Sequence, residues 1–307
     1  MKINEKQVKE ICKRLGQDFI GFDFLGRGSH NVNYIINTPQ ERFVLRIEDN
    51  LQFDNLKKEY KFLRKTDGKL GPRVFLFDDS RNILNKTYFV EEFIEGKHPK
   101  KADINYIKLM ARWYKELHKV KVKRKMLPLR RRLGVRKYKK FNHILDVDIK
   151  SRLDDIYDQS IKLFNKHDDL FKNITHLSLN HGDPTRTNVF YDGKRVRLID
   201  WEMVHYNIPE ADLVFFVWSY ELNEKRKKIF LATYGYSKTD KSKLKFELRL
   251  LAHIWEMISW RLERLDLVYR KKIDNIGYCS TKEDVYDENE KDIKKMNKIL
   301  RLLKNGD

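Results

Sequence analysis

Asp183, Asn188 and Asp200 are the residues of this 307-residue chain whose types and spacing most directly invite chemistry. They stand in HGDPTRTNVF and LIDWE: Asn188 lies five residues after Asp183, and Asp200 follows beyond a turn. A carboxylate such as Asp183 can orient a hydroxyl nucleophile and take its proton, while an amide oxygen and a second carboxylate suit a hard ion such as Mg²⁺. Phosphoryl transfer asks for this set, because it needs positioning and charge neutralisation more than covalent help. Between Asn188 and Asp200 the pattern is strand, a two-residue Asp192-Gly193 hairpin turn, strand. Such a hairpin brings the ends of two strands together, so that both residues can reach one ion. A lone His-Gly-Asp tripeptide has little meaning, and a hairpin aspartate often only caps backbone. The fixed gap followed by a second aspartate at a strand end is much harder to assemble by accident. His181 has two readings, a residue bonding the loop or a direct catalytic participant.

The elements that must position these groups are legible around them. Residues 1–17 read as a helix with Val8, Ile11, Cys12 and Leu15 on one face. FIGFDFLG, NVNYIINT and RFVLRIED follow as strands, then a helix FDNLKKEYKFLRKT ended by Gly68, then strands RVFLFDD and KTYFVEEFI closing at Gly96. Asp103 to His118 and Asp146 to Phe171 each read as one helix, and after Pro209 the pattern is helical to the end. The tail from Glu283 is amphipathic around Val285, Ile293, Met296, Ile299, Leu300 and Leu303.

Composition bounds the rest. With 65 Lys+Arg against 45 Asp+Glu the net charge is +20, a field that attracts anions. Twelve basic and no acidic residues fall between Lys119 and Lys140, which reads as a solvated basic face or as a polyanion site binding nucleic acid. No apolar run is long enough for a membrane span, and the charged amphipathic N-terminus is unlike a signal peptide, so a cytoplasmic protein is expected. Cys12 and Cys279 are too far apart in sequence to suggest a framework and are expected as reduced thiols.

HGDPTRTNVF with LIDWE resembles the aminoglycoside phosphotransferase and choline/ethanolamine kinase superfamily, in which an aromatic residue and Glu after the metal aspartate replace the DFG of protein kinases. The resemblance covers most of the chain. It implies an α+β, protein-kinase-like, two-lobed fold: a small antiparallel-sheet N-lobe over 1–95 that binds nucleotide, and a mostly helical C-lobe over 96–307 with the catalytic loop and acceptor site. It implies ATP and Mg²⁺, with Asn188 and Asp200 on the metal. Gly28, Ser29 and Asn31 resemble the phosphate loop, although GxGxxG is absent and His30 stands where Thr is usual. Arg46 occupies the position held by Lys in protein kinases, and Glu59 resembles the helix glutamate that steadies it; an ordinary cross-strand ion pair is the plainer reading. VEEFIEG resembles the linker whose backbone reads adenine, with Glu92 and Ile94 as the contacts. Leu117-His118, Tyr206-Asn207 and Asp212 match further positions of that branch.

The acceptor is less legible. Trp201, Glu202, Tyr206, Trp255, Glu256 and Trp260 gather aromatic faces and carboxylates that suit an ammonium-bearing alcohol, choline-like or ethanolamine-like, yet a row of helical aromatics also suits a core. The basic segment points instead to an acceptor that is itself anionic, such as a sugar phosphate, a nucleoside or a nucleic-acid end, while the resemblance also implies an aminoglycoside- or sugar-like alcohol. A small-molecule kinase is the leading expectation. The alternatives are a nucleic-acid-binding protein on a kinase-like fold and an atypical protein kinase, the latter opposed by the missing DFG and APE segments.

Overall fold

The computed structural model describes residues 2–28, 31–49, 55–123, 135–172, 174–273 and 281–305. Ser29, Cys279 and residues 124–134 of the basic segment, with Arg130 to Arg132 among them, lie outside the described residues.

The chain groups into two compact units. The first comprises 1–119, 181–205 and 228–234. It opens with α1 (Glu5–Leu15), started by a reciprocal Asn4/Gln7 capping box and stopped by Gly16 in the left-handed conformation, φ 68°. Strands β1 (Gly21–Arg27), β2 (Asn31–Asn37) and β3 (Arg42–Glu48) follow, then α2 (Asn55–Thr66), β4 (Val74–Asp78) and β5 (Tyr88–Glu92). They form one antiparallel sheet of order β1-β2-β3-β5-β4.

The two-residue period of a strand gives this sheet two different faces. Tyr34, Leu45 and Val90 are in register across β2, β3 and β5 and join Val8, Ile11 and Cys12 of α1 in an apolar cluster. One residue along, Asn33, Arg46 and Phe89 are in register, with Val44 opposite Glu91. Register therefore sends the hydrophobic set to α1 and the charged set, Arg46 and Glu91, to the other face.

Helix α3 (Ile104–Leu117) is also in the first unit, N-capped by Asp103. So is the hairpin of β8 (Val189–Tyr191) and β9 (Val196–Leu198), β6 (Lys121–Lys123) and β7 (His176–Asn180) belonging to the second unit. The chain reverses one residue later than the expected Asp192-Gly193: the Asp192 carboxylate accepts from the N–H groups of Lys194 and Arg195, and Gly193 takes φ 90°.

The second unit comprises 120–180, 206–227 and 235–307. Its helices are α4 (Val135–Phe141), α5 (Val147–Lys166), α6 (Asp169–Lys172), α7 (Glu210–Ser219), α9 (Asp240–Tyr269) and α10 (Lys282–Asn305); of α8 (Glu224–Tyr234), residues 224–227 belong to this unit and 228–234 to the first. The helix expected from Asp146 to Phe171 is two, because His167 leaves helical geometry (φ −111°, ψ 21°) before the short α6 that carries the buried Phe171. Helix α10 buries the expected stripe, and Arg261 of α9 forms a wholly buried ion pair with Asp292 of α10.

Candidate active site

Every group in this site belongs to the first unit, so its geometry is that of one compact body. A single-turn 3-10 helix, Arg186–Asn188, delivers Asn188 to the start of β8. The Asn188 amide nitrogen donates to the carboxylate of Asp183 at 2.9 Å and to its carbonyl at 3.0 Å. Its own carbonyl accepts the Ile199 N–H at 2.9 Å. The residue is thereby fixed between Asp183 and the segment that carries Asp200. Asp200 itself sits at φ 62°, a left-handed conformation that costs a non-glycine residue on the order of 1 kcal/mol and persists only where surroundings impose it.

His181 is fully buried. Its Nδ1 accepts the Asp183 N–H at 3.3 Å and its Nε2 donates to the Ile199 carbonyl at 3.1 Å, which sets the tautomer and ties the Asp183 loop to the residue before Asp200. Both ring nitrogens serve backbone, so of its two readings the bonding one describes its place here. Gly182 takes φ 87°, and a Cβ on it would lie 2.6 Å from the Met203 carbonyl. Only glycine fits that crossing.

From β3, the buried Arg46 guanidinium reaches Glu59 of α2 and Asp200 through Nη2, each at 3.2 Å. Glu59 is wholly buried and its other oxygen accepts the Trp201 N–H at 2.9 Å. Burial pushes the Glu59 carboxyl up, while Arg46 and the Trp201 N–H favour its anion. Glu91 of β5 stands 3.9 Å from Nη1. The Lys58 amine donates to the Glu202 carbonyl at 3.2 Å, a second link between α2 and the turn after Asp200. Burial lowers the Lys58 pKa.

The carboxyls share one trend. Burial and the neighbouring Asp200 charge push Asp183 up to about 6, and burial with Asp200 pushes Glu202 up to about 7. A site so rich in acid favours a bound cation. The donor set fits Mg²⁺: a carboxylate and an amide oxygen, with no group of three His, Cys, Asp or Glu gathered as a cage among the described residues. A hard ion with so few protein ligands would complete its shell with phosphate oxygens and water.

The other expected residues fall in several places. Gly28 and Asn31 join through a 2.9 Å backbone bond from the Gly28 N–H to the Asn31 carbonyl. The Glu92 N–H is committed to the Arg73 carbonyl at 2.8 Å, and its carboxylate pairs with Arg197 of β9; Ile94 is buried. Trp201 and Trp255, expected as acceptor faces, are core residues. Trp201 is fully buried with its indole N–H on the Leu198 carbonyl, and Trp255 is fully buried with its indole N–H on Ser160. Glu256 is held by Arg249 at 3.0 Å and lies 3.4 Å from His253, so its charge is already neutralised, whereas Trp260 stays exposed. Glu202 and Tyr206 are partly buried.

Sequence reasoning missed Glu91, Lys58 and Trp113, whose ring packs against His181 and Trp201. Glu91 had a signal: a charged residue inside the apolar run YFVEE, at the alternate position to the α1-facing Val90.

The sequence profile of the phosphotransferase enzyme family matches residues 22–246. The chain is 25% identical over 209 residues to the protein LicA homolog of Mycoplasma capricolum subsp. capricolum, covering 68% of this chain and 77% of that one. In structure it is similar to choline kinase LicA from Streptococcus pneumoniae, with a TM-score of 0.62, 19% identity and coverage of 97% and 98%. It is also similar to a spectinomycin phosphotransferase in complex with ADP and spectinomycin, with a TM-score of 0.63, 16% identity and coverage of 97% and 99%. Both structures share the protein-kinase-like fold expected from the sequence.

Proposed function

The chain belongs to the phosphotransferase enzyme family, and on that premise we propose that it transfers the γ-phosphoryl group of ATP to a hydroxyl of a small molecule. The observation that carries this reading is the convergence of Arg46, Glu59, Asp183, Asn188 and Asp200 within one compact unit. In this reading residues 1–95 form the nucleotide lobe and 96–307 the catalytic and acceptor lobe. Gly28 and Asn31 line the phosphates, and the backbone at Glu92 and Ile94 meets the base.

Asn188 and Asp200 would hold Mg²⁺. When bound, that ion supplies charge neutralisation on the phosphates. Arg46 offers its planar fork to phosphate oxygens while Glu59 keeps the fork oriented. Asp183 orients the acceptor hydroxyl and takes its proton as the oxygen-to-γ-phosphorus bond forms and the bond from the γ-phosphorus to the bridging oxygen breaks, releasing ADP. His181 keeps Asp183 in place.

The acceptor classes are choline- or ethanolamine-like alcohols and aminoglycoside- or sugar-like alcohols. The deciding experiment is a phosphotransfer screen across both classes, with and without Mg²⁺, beginning with choline because relatives in sequence and structure carry the LicA name. Metal-dependent ADP release with one acceptor supports the reading. No turnover with any acceptor, together with nucleic-acid binding, overturns it in favour of a binding protein on the same fold.

A further inference from the structure

Three carboxyl groups surround the one guanidinium of Arg46, and only two have roles in the reaction proposed above. Glu59 and Asp200 both address Nη2. The third, Glu91, faces Nη1 at 3.9 Å, beyond hydrogen-bond length but well within strong electrostatic reach. Its side chain is 4% exposed, and its Oε2 is buried with no hydrogen-bond partner among the described residues. Strand register places it on the Arg46 face of the sheet, two residues from Phe89, which stands opposite Arg46. Glu91 makes no hydrogen bond to Arg46, which already has Glu59 and Asp200 as closer partners, and a leucine or methionine packed beside Val44 would bring no polar atom of its own to satisfy.

We propose that Glu91 is a positioning residue that competes with the nucleotide phosphates for Nη1 of Arg46, so that nucleotide affinity falls when Glu91 is charged. This rests on the reading of Arg46 as the phosphate-binding cation. The charged groups facing Glu91 are Arg46 from β3, Glu59 from α2 and Asp200 after β9, with Glu92 beside it on β5. Three of these four are acidic. Burial, reinforced by the acids against the opposing pull of Arg46, pushes Glu91 up to about 8. At neutral pH it is therefore a neutral acid that leaves the guanidinium to the phosphates. Above pH 8 it becomes an anion that draws Nη1 toward itself and repels phosphate.

The test is calorimetric titration of the full chain with Mg·ATP and, separately, with adenosine between pH 7 and pH 9. For the wild type, the Kd for Mg·ATP rises about tenfold over that range, as expected for one added charge at close range, while the Kd for adenosine stays within about twofold. Glu91→Gln, neutral at every pH, removes the rise and binds Mg·ATP at pH 7 at least as tightly as the wild type. Glu91→Asp retains a rise. The proposal is overturned by a wild type whose Mg·ATP affinity does not fall, by an equal fall for adenosine, or by a Gln variant that keeps the wild-type profile. Should the Gln variant fail to fold, Glu91→Met, which cannot ionise at any pH, takes its place in the same comparison. A wild type that binds neither ligand at any pH refutes the proposed function itself, a result distinct from binding without pH dependence.

Discussion

Asp183 carries opposite demands at the scale of a single residue: the proposed reaction needs its anion, and its surroundings disfavour that anion. Its carboxyl is pushed up to about 6 from 3.8, so between those values the folded chain holds a proton that the unfolded chain has released. Folding stability therefore falls as pH rises through that window and stays reduced above it. Asp183→Asn removes the penalty. The expected result is loss of phosphotransfer by about a hundredfold or more, an unchanged Kd for nucleotide, and a gain of about 1 kcal/mol in stability at pH 7 once the altered Asn188 hydrogen bond is allowed for. Steady-state kinetics, nucleotide titration and thermal denaturation of one variant check all three, and turnover above about a tenth of wild type would sink the role of Asp183 as base. In the wild type, kcat/KM is expected to show an acid limb at or below about pH 6, since a metal near Asp200 can only favour the Asp183 anion. Asp200→Ala, which removes the carboxylate that the proposed metal requires, is expected to abolish the Mg²⁺-dependent part of nucleotide affinity. Titrations with and without Mg²⁺ measure it, and an undiminished enhancement would put the metal elsewhere.

At the scale of elements, the site depends on how tightly a few turns are tied to one another. Helix α2 is joined to the turn after Asp200 by Glu59 on the Trp201 N–H and by Lys58 on the Glu202 carbonyl. The loop before Asp183 crosses Met203 at Gly182, where no side chain fits. Gly182→Ala combines a positive φ with a 2.6 Å backbone clash, and is expected to cost about 2 kcal/mol or more in denaturant unfolding while lowering kcat. A variant with wild-type stability and turnover would show that this crossing is not required. In the second unit, Asp292→Ala leaves the Arg261 charge buried without its partner. A loss of about 3–5 kcal/mol is expected by the same measurement, with little change in turnover if the folded fraction is accounted for.

For the molecule as a whole, the +20 charge is a statement about what it attracts, and it leaves the fold open. Of the six described lysines of the basic segment, 119, 137 and 139 pair with carboxylates, on Glu116, Glu263 and Asp154, and charge already paired in this way favours the solvated face over the polyanion site. Replacing Arg130, Arg131 and Arg132 together with Ala is accordingly expected to leave kinetic constants intact and to change stability by about half a kcal/mol or less. Submicromolar binding of a short RNA by the wild type at near-physiological salt, lost in the triple variant, would reverse that preference. The sequence by itself determined what local spacing can carry: the Asp183–Asn188–Asp200 set, the succession of strands and helices along the chain and the amphipathic stripe of α10, because each depends on residues close in sequence and on the fixed periods of helix and strand. The tertiary structure decided what depends on contacts between distant residues. Glu59 meets the Trp201 N–H across 142 positions, and burial of the indole against Trp113 and His181 makes Trp201 a core residue rather than an acceptor face. Strand register, a long-range property, put Glu91 beside Arg46. Periodicity reports which residues share a face, but which group faces which, and whether a carboxylate arrives beside a cation or beside another acid, is settled only when the chain closes on itself.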